Sequence, residues 1–220
     1  MLKNYEKKCK KIRESIINIG SGLITANQMI LDSMQNCDRE KFNDAKSHIK
    51  NVPQKTVDID NSIITTLALH APEAKDLRTM VSYLKITNDL LRASSNTKTF
   101  IKGFQDVCSD VDIKTINSYA IPMQKATVEA LTYAVEMFEL ENVDEVKTAF
   151  DKVVVAENKT DELYEMIESE LLKEAKNNED FTKYHMMLAT LRKSEKIADR
   201  ALSIASLLEF AKIGGDINTL

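Results

Sequence analysis

Apolar residues recur every three or four positions along nearly the whole chain, the spacing of helices that bury one face. A first helix is predicted from about Tyr5 to Met34, with Ile16, Ile19, Leu23, Ile30 and Met34 facing inward. Asp38 then has the chemistry of an N-cap for a second helix reaching about His70, kinked where Pro53 forfeits a backbone donor. Ala71-Pro72-Glu73 is the next turn, Pro72 suiting a first helical position. A third helix extends to about Gln105, and Val107 to Val111 form a link. Three more helices are predicted at about 113–140, 143–175 and 179–211, with Asn142 and Glu145 as a cap and Gly214-Gly215 as the stop.

The pattern also contains itself twice. Residues 38–105 superpose without a gap on 142–209: Lys55-Thr56 meets Lys159-Thr160, Ile63 meets Ile167, Leu67 meets Leu171, and Leu84 meets Leu188. Ala71 meets Ala175, and ahead of them Ala26 meets Ala130 and Ala45 meets Ala149. One offset carries the apolar face through both copies, so each copy is one supersecondary unit. The expected fold is all-α: two tandem antiparallel three-helix bundles, residues 1–106 and 113–211, followed by a flexible tail at 212–220.

Composition narrows the function classes. Five Gly, three Pro and no Trp among 220 residues suit long helices with few turns. A net charge of −4 offers no basic face, so nucleic acid is not an expected partner. Cys9, Cys37 and Cys108 are odd in number and lack CxxC spacing, and read as reduced thiols of a cytosolic protein. The uncharged stretch from Ser15 to Leu31 is interrupted by Asn18, Ser21, Thr25, Asn27 and Gln28. It reads as the buried face of the first helix, not a signal peptide or a membrane span. Gly20 and Gly22 within it read as a close helix approach or a kink.

The candidate chemistry is a set of carboxylates. Glu157 and Asp161 share one helical face, as do Glu195 and Asp199 on the following helix. Both pairs stand equally far from the turn predicted at 176–180, so an antiparallel hairpin brings all four together. Such a cluster raises its own pKa values unless a cation neutralises it, and hard ions such as Mg²⁺, Mn²⁺, Ca²⁺ or Fe³⁺ prefer oxygen ligands. Ordinary surface pairing with Lys159, Lys193 or Lys196 is the alternative. The matching positions of the first copy, Pro53, Val57, Leu91 and Ser95, carry no carboxylate, so any such site belongs to the second copy alone. His48, His70 and His185 are dispersed, no Ser or Cys has a nucleophile's context, and the nine methionines, Met186-Met187 included, read as core. No enzyme is expected.

The run Ala71-Pro72-Glu73-Ala74-Lys75-Asp76-Leu77-Arg78, followed by Leu84-Lys85-Ile86 and Asp89-Leu90, resembles the signature of the PhoU family. The segment Glu195-Lys196-Ile197-Ala198-Asp199-Arg200-Ala201 resembles that family's Glu-Arg-Ile-Gly-Asp-His-Ala segment. The resemblance implies a cytoplasmic, often dimeric regulator of phosphate uptake and phosphate-starvation signalling. Such proteins link a Pst-type transporter, through its PstB-like ATPase, to a PhoR-like sensor kinase as a negative modulator, without entering the membrane. It also implies metal ligation at Glu157, Asp161, Glu195 and Asp199 by a divalent or ferric ion (Fe, Mn, Mg or Zn), in the second repeat only. Leu91-Arg92-Ala93-Ser94-Ser95 replaces the first repeat's metal segment. Asp76 and Arg78 belong to the signature, with capping and first-turn pairing as their expected roles. Accessory service to a Pit-type phosphate permease and metal-dependent phosphoester hydrolysis are the alternative readings.

Overall fold

The computed structural model describes residues 2–108, 113–174 and 178–215. All the regular structure among them is helical: α1 (Leu2–Met34), α2 (Arg39–Ile49), α3 (Val52–His70), α4 (Ala74–Val107), α5 (Ile113–Thr115), α6 (Ile121–Glu136), α7 (Val143–Glu174) and α8 (Asn178–Ile213). A π-helical turn, Ile116–Ala120, joins α5 to α6, and a 3₁₀ turn, Met137–Glu139, follows α6.

The buried residues of α1 (Ile12, Ile16, Ile19, Leu23, Ala26, Ile30 and Met34) advance by three or four, as the period requires. Each fully buried aliphatic side chain contributes about 1.5–3 kcal/mol. One such face on each long helix makes a continuous core. In the first half α1 packs on α2, α3 and α4; in the second, α6, α7 and α8 pack on one another. The halves meet along α4 and α8, the most extensive contact in the molecule, and along α1 and α6. The fold is two three-helix repeats, as the internal pattern predicts.

Local chemistry repeats as well. Asp38 Oδ1 accepts from the backbone N–H groups of Glu40 and Lys41 at 3.1 and 3.2 Å. Asn142 Oδ1 accepts from those of Asp144 and Glu145 at 2.8 and 3.3 Å. Further on, the Thr56 hydroxyl donates to Pro53 O at 2.9 Å and its counterpart Thr160 to Glu157 O at 2.8 Å.

The differences from the predicted elements cluster at prolines. Pro53 does not kink a helix; it sits in the first turn of α3, after a break at Lys50 and Asn51. Its ring would clash with the carbonyl four residues back, that of Ile49, where α2 ends. Pro72 stands ahead of α4 rather than in its first turn, because Glu73 is the N-cap. A residue before proline avoids the right-handed helical region. Ala71 leaves the helix as a left-handed C-cap at φ 41°, and its N–H closes α3 onto Leu67 O at 3.1 Å. Pro122 follows the π turn, whose wider i→i+5 bonding brings Ile121 N–H onto Ile116 O.

The predicted link at 107–111 and the turn at 176–180 fall partly outside the described residues, as does the tail beyond Gly215; Lys212 and Ile213 are still helical. The thiols depart from expectation. Cys37 and Cys108 form a disulfide with their Cα atoms 6.0 Å apart, and Cys9 alone is free. Spacing along the chain hid the pair, since the fold brings the α1–α2 turn against the end of α4 across a sequence separation of 71 residues. Gly20 lets Val135 of α6 approach: a Cβ there would stand 2.6 Å from Val135 Cγ2. At Gly22 a Cβ would stand 3.0 Å from the carbonyl oxygen of His48. Close approach is thus the role of both glycines. No described helix is long and apolar enough to cross a membrane.

Candidate metal centre

α7 and α8 lie antiparallel and in contact, and this places the two carboxylate pairs side by side. Oxygen atoms of Glu157, Asp161 and Asp199 lie within 4.8 Å of one another. Glu195 joins them from the buried side, with 4% of its surface exposed. The spacing argument therefore brings all four residues to one spot, though three form the tight group and the fourth is drawn into ion pairs. Arg192 Nε approaches Glu195 Oε2 at 3.0 Å without the alignment of a hydrogen bond, and Lys196 Nζ lies 3.3 Å from Oε1. Lys196 also reaches Asp199 Oδ2 at 2.7 Å. Of the three lysines considered for surface pairing, Lys196 alone pairs with a carboxylate among the described residues.

The electrostatics follow from the crowding. Burial, then the charges of Asp161, Asp199 and Glu195, push Glu157 from an ordinary 4.5 up to about 7. Burial and Asp199 push Asp161 and Glu195 upward as well. The hydrogen bond to Asp199 leads the causes that raise Lys196. One ammonium and one guanidinium thus offset part of the negative charge.

Glu195 Oε2 already has the Arg192 cation beside it, whereas Asp161 Oδ1 is buried with no hydrogen-bond partner. A buried carboxylate oxygen left this way is costly unless a cation satisfies it. The donor set is all oxygen and suits a hard cation. On both counts the residues fit a metal ion. The first repeat offers no counterpart, with Val57 51% exposed at the position matching Asp161.

Other predicted residues have different surroundings. Arg78 does not pair within its own first turn; its guanidinium lies over the Phe210 ring of α8 at 5.6 Å. Asp76 is in the first turn of α4 and acts on Tyr5 and Cys9 of α1. The His70 ring packs tilted against that of Tyr5, centroids 5.4 Å apart, and is not part of the carboxylate group. Met187 is fully buried but its neighbour Met186 is 45% exposed, so half of that pair is core. Sequence reasoning missed the polar seam between the repeats. There Asp89 of α4 accepts from Arg200 at 3.2 Å and Ser203 at 2.8 Å. Deeper in, Gln124 Nε2 donates to Asn27 Oδ1 at 3.0 Å while Ser194 donates to Gln124 Oε1 at 2.7 Å. The detectable signal was polar residues at positions where the helical period calls for apolar ones.

Known proteins share this fold. The chain is 25% identical over 187 residues to the phosphate-specific transport system accessory protein PhoU homolog of Borreliella burgdorferi, covering 79% of this chain and 83% of that protein. Its fold matches the crystal structure of PhoU from Pseudomonas aeruginosa with a TM-score of 0.81 at 16% identity, over 96% of this chain and 100% of that one. The phosphate transport system regulatory protein PhoU from Streptococcus pneumoniae matches with a TM-score of 0.82 at 18% identity, over 98% and 100%. The PhoU domain itself matches twice, at residues 16–100 and 121–208, one match for each structural repeat. With both halves matched, the chain belongs to the PhoU family.

Proposed function

We propose that this protein is a regulatory accessory of a phosphate transport system, acting through helical surfaces rather than by catalysis. The observation that carries the reading is the double match to the PhoU domain across both repeats. The relative from Borreliella burgdorferi, named as an accessory of phosphate-specific transport, supports it. In the finer form of the proposal the protein works in the cytoplasm, as a homodimer. It holds phosphate-starvation signalling off by linking a PstB-like ATPase to a PhoR-like kinase. Exposed apolar side chains on α3 and α7, among them Ile64 (56%) and Val155 (68%), suit contacts with other chains.

The second repeat adds a metal centre to this proposal. A divalent or ferric ion there would supply the positive charge that Glu157, Asp161, Asp199 and Glu195 lack, tying α7 to α8. The orphaned oxygen of Asp161 supports it. Lys196 and Arg192 hold the neighbouring carboxylates in place and limit how much charge the site presents.

The test is a deletion strain grown with plentiful phosphate. Derepressed starvation genes and raised phosphate accumulation, both restored by the intact gene, are expected. Unchanged starvation output, with or without altered uptake through a Pit-type permease, contradicts the signalling role.

A further inference from the structure

A second polar site lies where the two repeats meet, and none of its residues belongs to the carboxylate cluster. A cleft of about 150 Å³ is walled by Arg13 of α1, Lys75, Thr79 and Tyr83 of α4, Glu141 after α6, and Lys212 of α8, with apolar residues behind them. That volume resembles a cavity known to accept a ligand of six heavy atoms. Three cations face a single lining carboxylate, so the cleft has an excess of positive charge. Arg13 meets Glu139 at 3.7 Å, but that glutamate is 64% exposed, and such a pair contributes little. Lys75 forms no ion pair among the described residues. Lys212 donates to the carbonyls of Phe138 and Leu140, which occupies two of its three protons. Burial pushes the Lys212 pKa down; Glu141 and Glu139 oppose the shift, and Arg13 and Lys75 add to it.

Tyr83 adds a neutral donor to these cations. The residue is 7% exposed, yet it lines both this cleft and a larger adjoining cavity of about 840 Å³. Its hydroxyl has no hydrogen-bond partner among the described residues. Burial pushes its pKa up to about 12, which keeps it a donor. A neutral donor beside a guanidinium and two ammonium groups is a setting for charge-assisted hydrogen bonds to an oxyanion.

We propose that this cleft binds a dianionic oxyanion, either inorganic phosphate or the phosphoryl end of a phosphomonoester, through Arg13, Lys75 and Lys212 with Tyr83 as a neutral donor. The ligand bridges α1 and α4 of the first repeat to α8 of the second, so occupancy couples the two halves. The adjoining cavity, which shares Arg13, Thr79 and Tyr83, has room for the organic part of an ester. The proposal does not depend on the transport reading.

The test is calorimetric titration of chelator-treated protein with inorganic phosphate and, separately, with AMP, at matched ionic strength with chloride as the control. Saturable binding by the wild type is expected, weakened about tenfold or more in Lys75→Ala and in Arg13→Gln. Lys75 is exposed, so its variant folds; circular dichroism checks both. Glu157→Gln/Asp199→Asn keeps the wild-type affinity, which separates this site from the carboxylate cluster. Tighter binding of AMP assigns the site to phosphomonoesters, and equal or weaker binding of AMP assigns it to free phosphate. No saturable binding of either ligand by the wild type, or unchanged affinity in folded Lys75→Ala and Arg13→Gln, overturns the proposal.

Discussion

Glu157 shows how a few residues set the properties of the second repeat. Its carboxyl is raised to about 7 from an ordinary 4.5, so the native state holds a proton that the unfolded chain releases. The resulting stabilisation is fully present below about pH 4.5 and is lost as pH rises through about 7. Asp161 and Glu195, also raised, act in the same direction. The metal-free protein should therefore melt at progressively lower temperature across this range, and Glu157→Gln should flatten the slope. A cation competes with the proton, so metal-dependent stabilisation should grow as pH rises through about 7. Thermal melts with and without metal read both trends, and a pH-independent Tm in the metal-free wild type would contradict them. These four carboxylates were legible in the sequence because helical spacing and distance from a turn are one-dimensional quantities. Arg78 was not: its partner Phe210 lies on a helix of the other repeat, and nothing local announces the contact.

Among the elements, α1 depends most on what it lacks. At Gly22 the neighbouring surface is backbone, the His48 carbonyl oxygen, which cannot rotate away as a side chain can. Gly22→Leu should cost about 1–3 kcal/mol by overpacking α1 against α2. At this chain length that is a Tm drop of about 2–4 °C per kcal/mol. Serine at the same position should cost less, and a leucine variant as stable as wild type would disprove the close approach. Helix existence was legible throughout from apolar periodicity, and both caps, Asp38 and Asn142, from residue type. The breaks were harder to foresee. Whether a proline kinks a helix, opens its first turn, stands ahead of it or follows a widened turn depends on how neighbouring helices accommodate the chain. Pro53 opens α3, Pro72 stands ahead of α4, and Pro122 follows the π turn.

At the scale of the whole molecule, the repeats are joined by a polar seam inside an apolar interface. Asp89 is nearly buried, and its two oxygens take bonds from Arg200 and Ser203 of the other repeat. Removing one partner of a fully buried pair costs about 3–5 kcal/mol. Because Arg200 keeps 24% of its side chain exposed, Asp89→Ala should cost less, about 2 kcal/mol. Urea unfolding should show it as a lower midpoint with an unchanged slope, and a midpoint unaltered by the substitution would remove the seam's role. The two-repeat architecture was legible from a single offset, but the seam was not, because Asp89 and Arg200 are 111 residues apart and have no counterpart relation in the repeat. With no carboxylate at the matching positions of the first repeat, the second holds the one candidate metal centre among the described residues. Metal content measures that assignment most directly. Wild-type protein loaded in turn with manganese, iron and zinc, then gel-filtered, should retain at least one of these metals, with a raised Tm. Glu157→Gln/Asp199→Asn should retain none and show no metal-dependent shift. A wild type that retains no metal, or a double variant that retains as much as wild type, would contradict a metal centre at these four carboxylates.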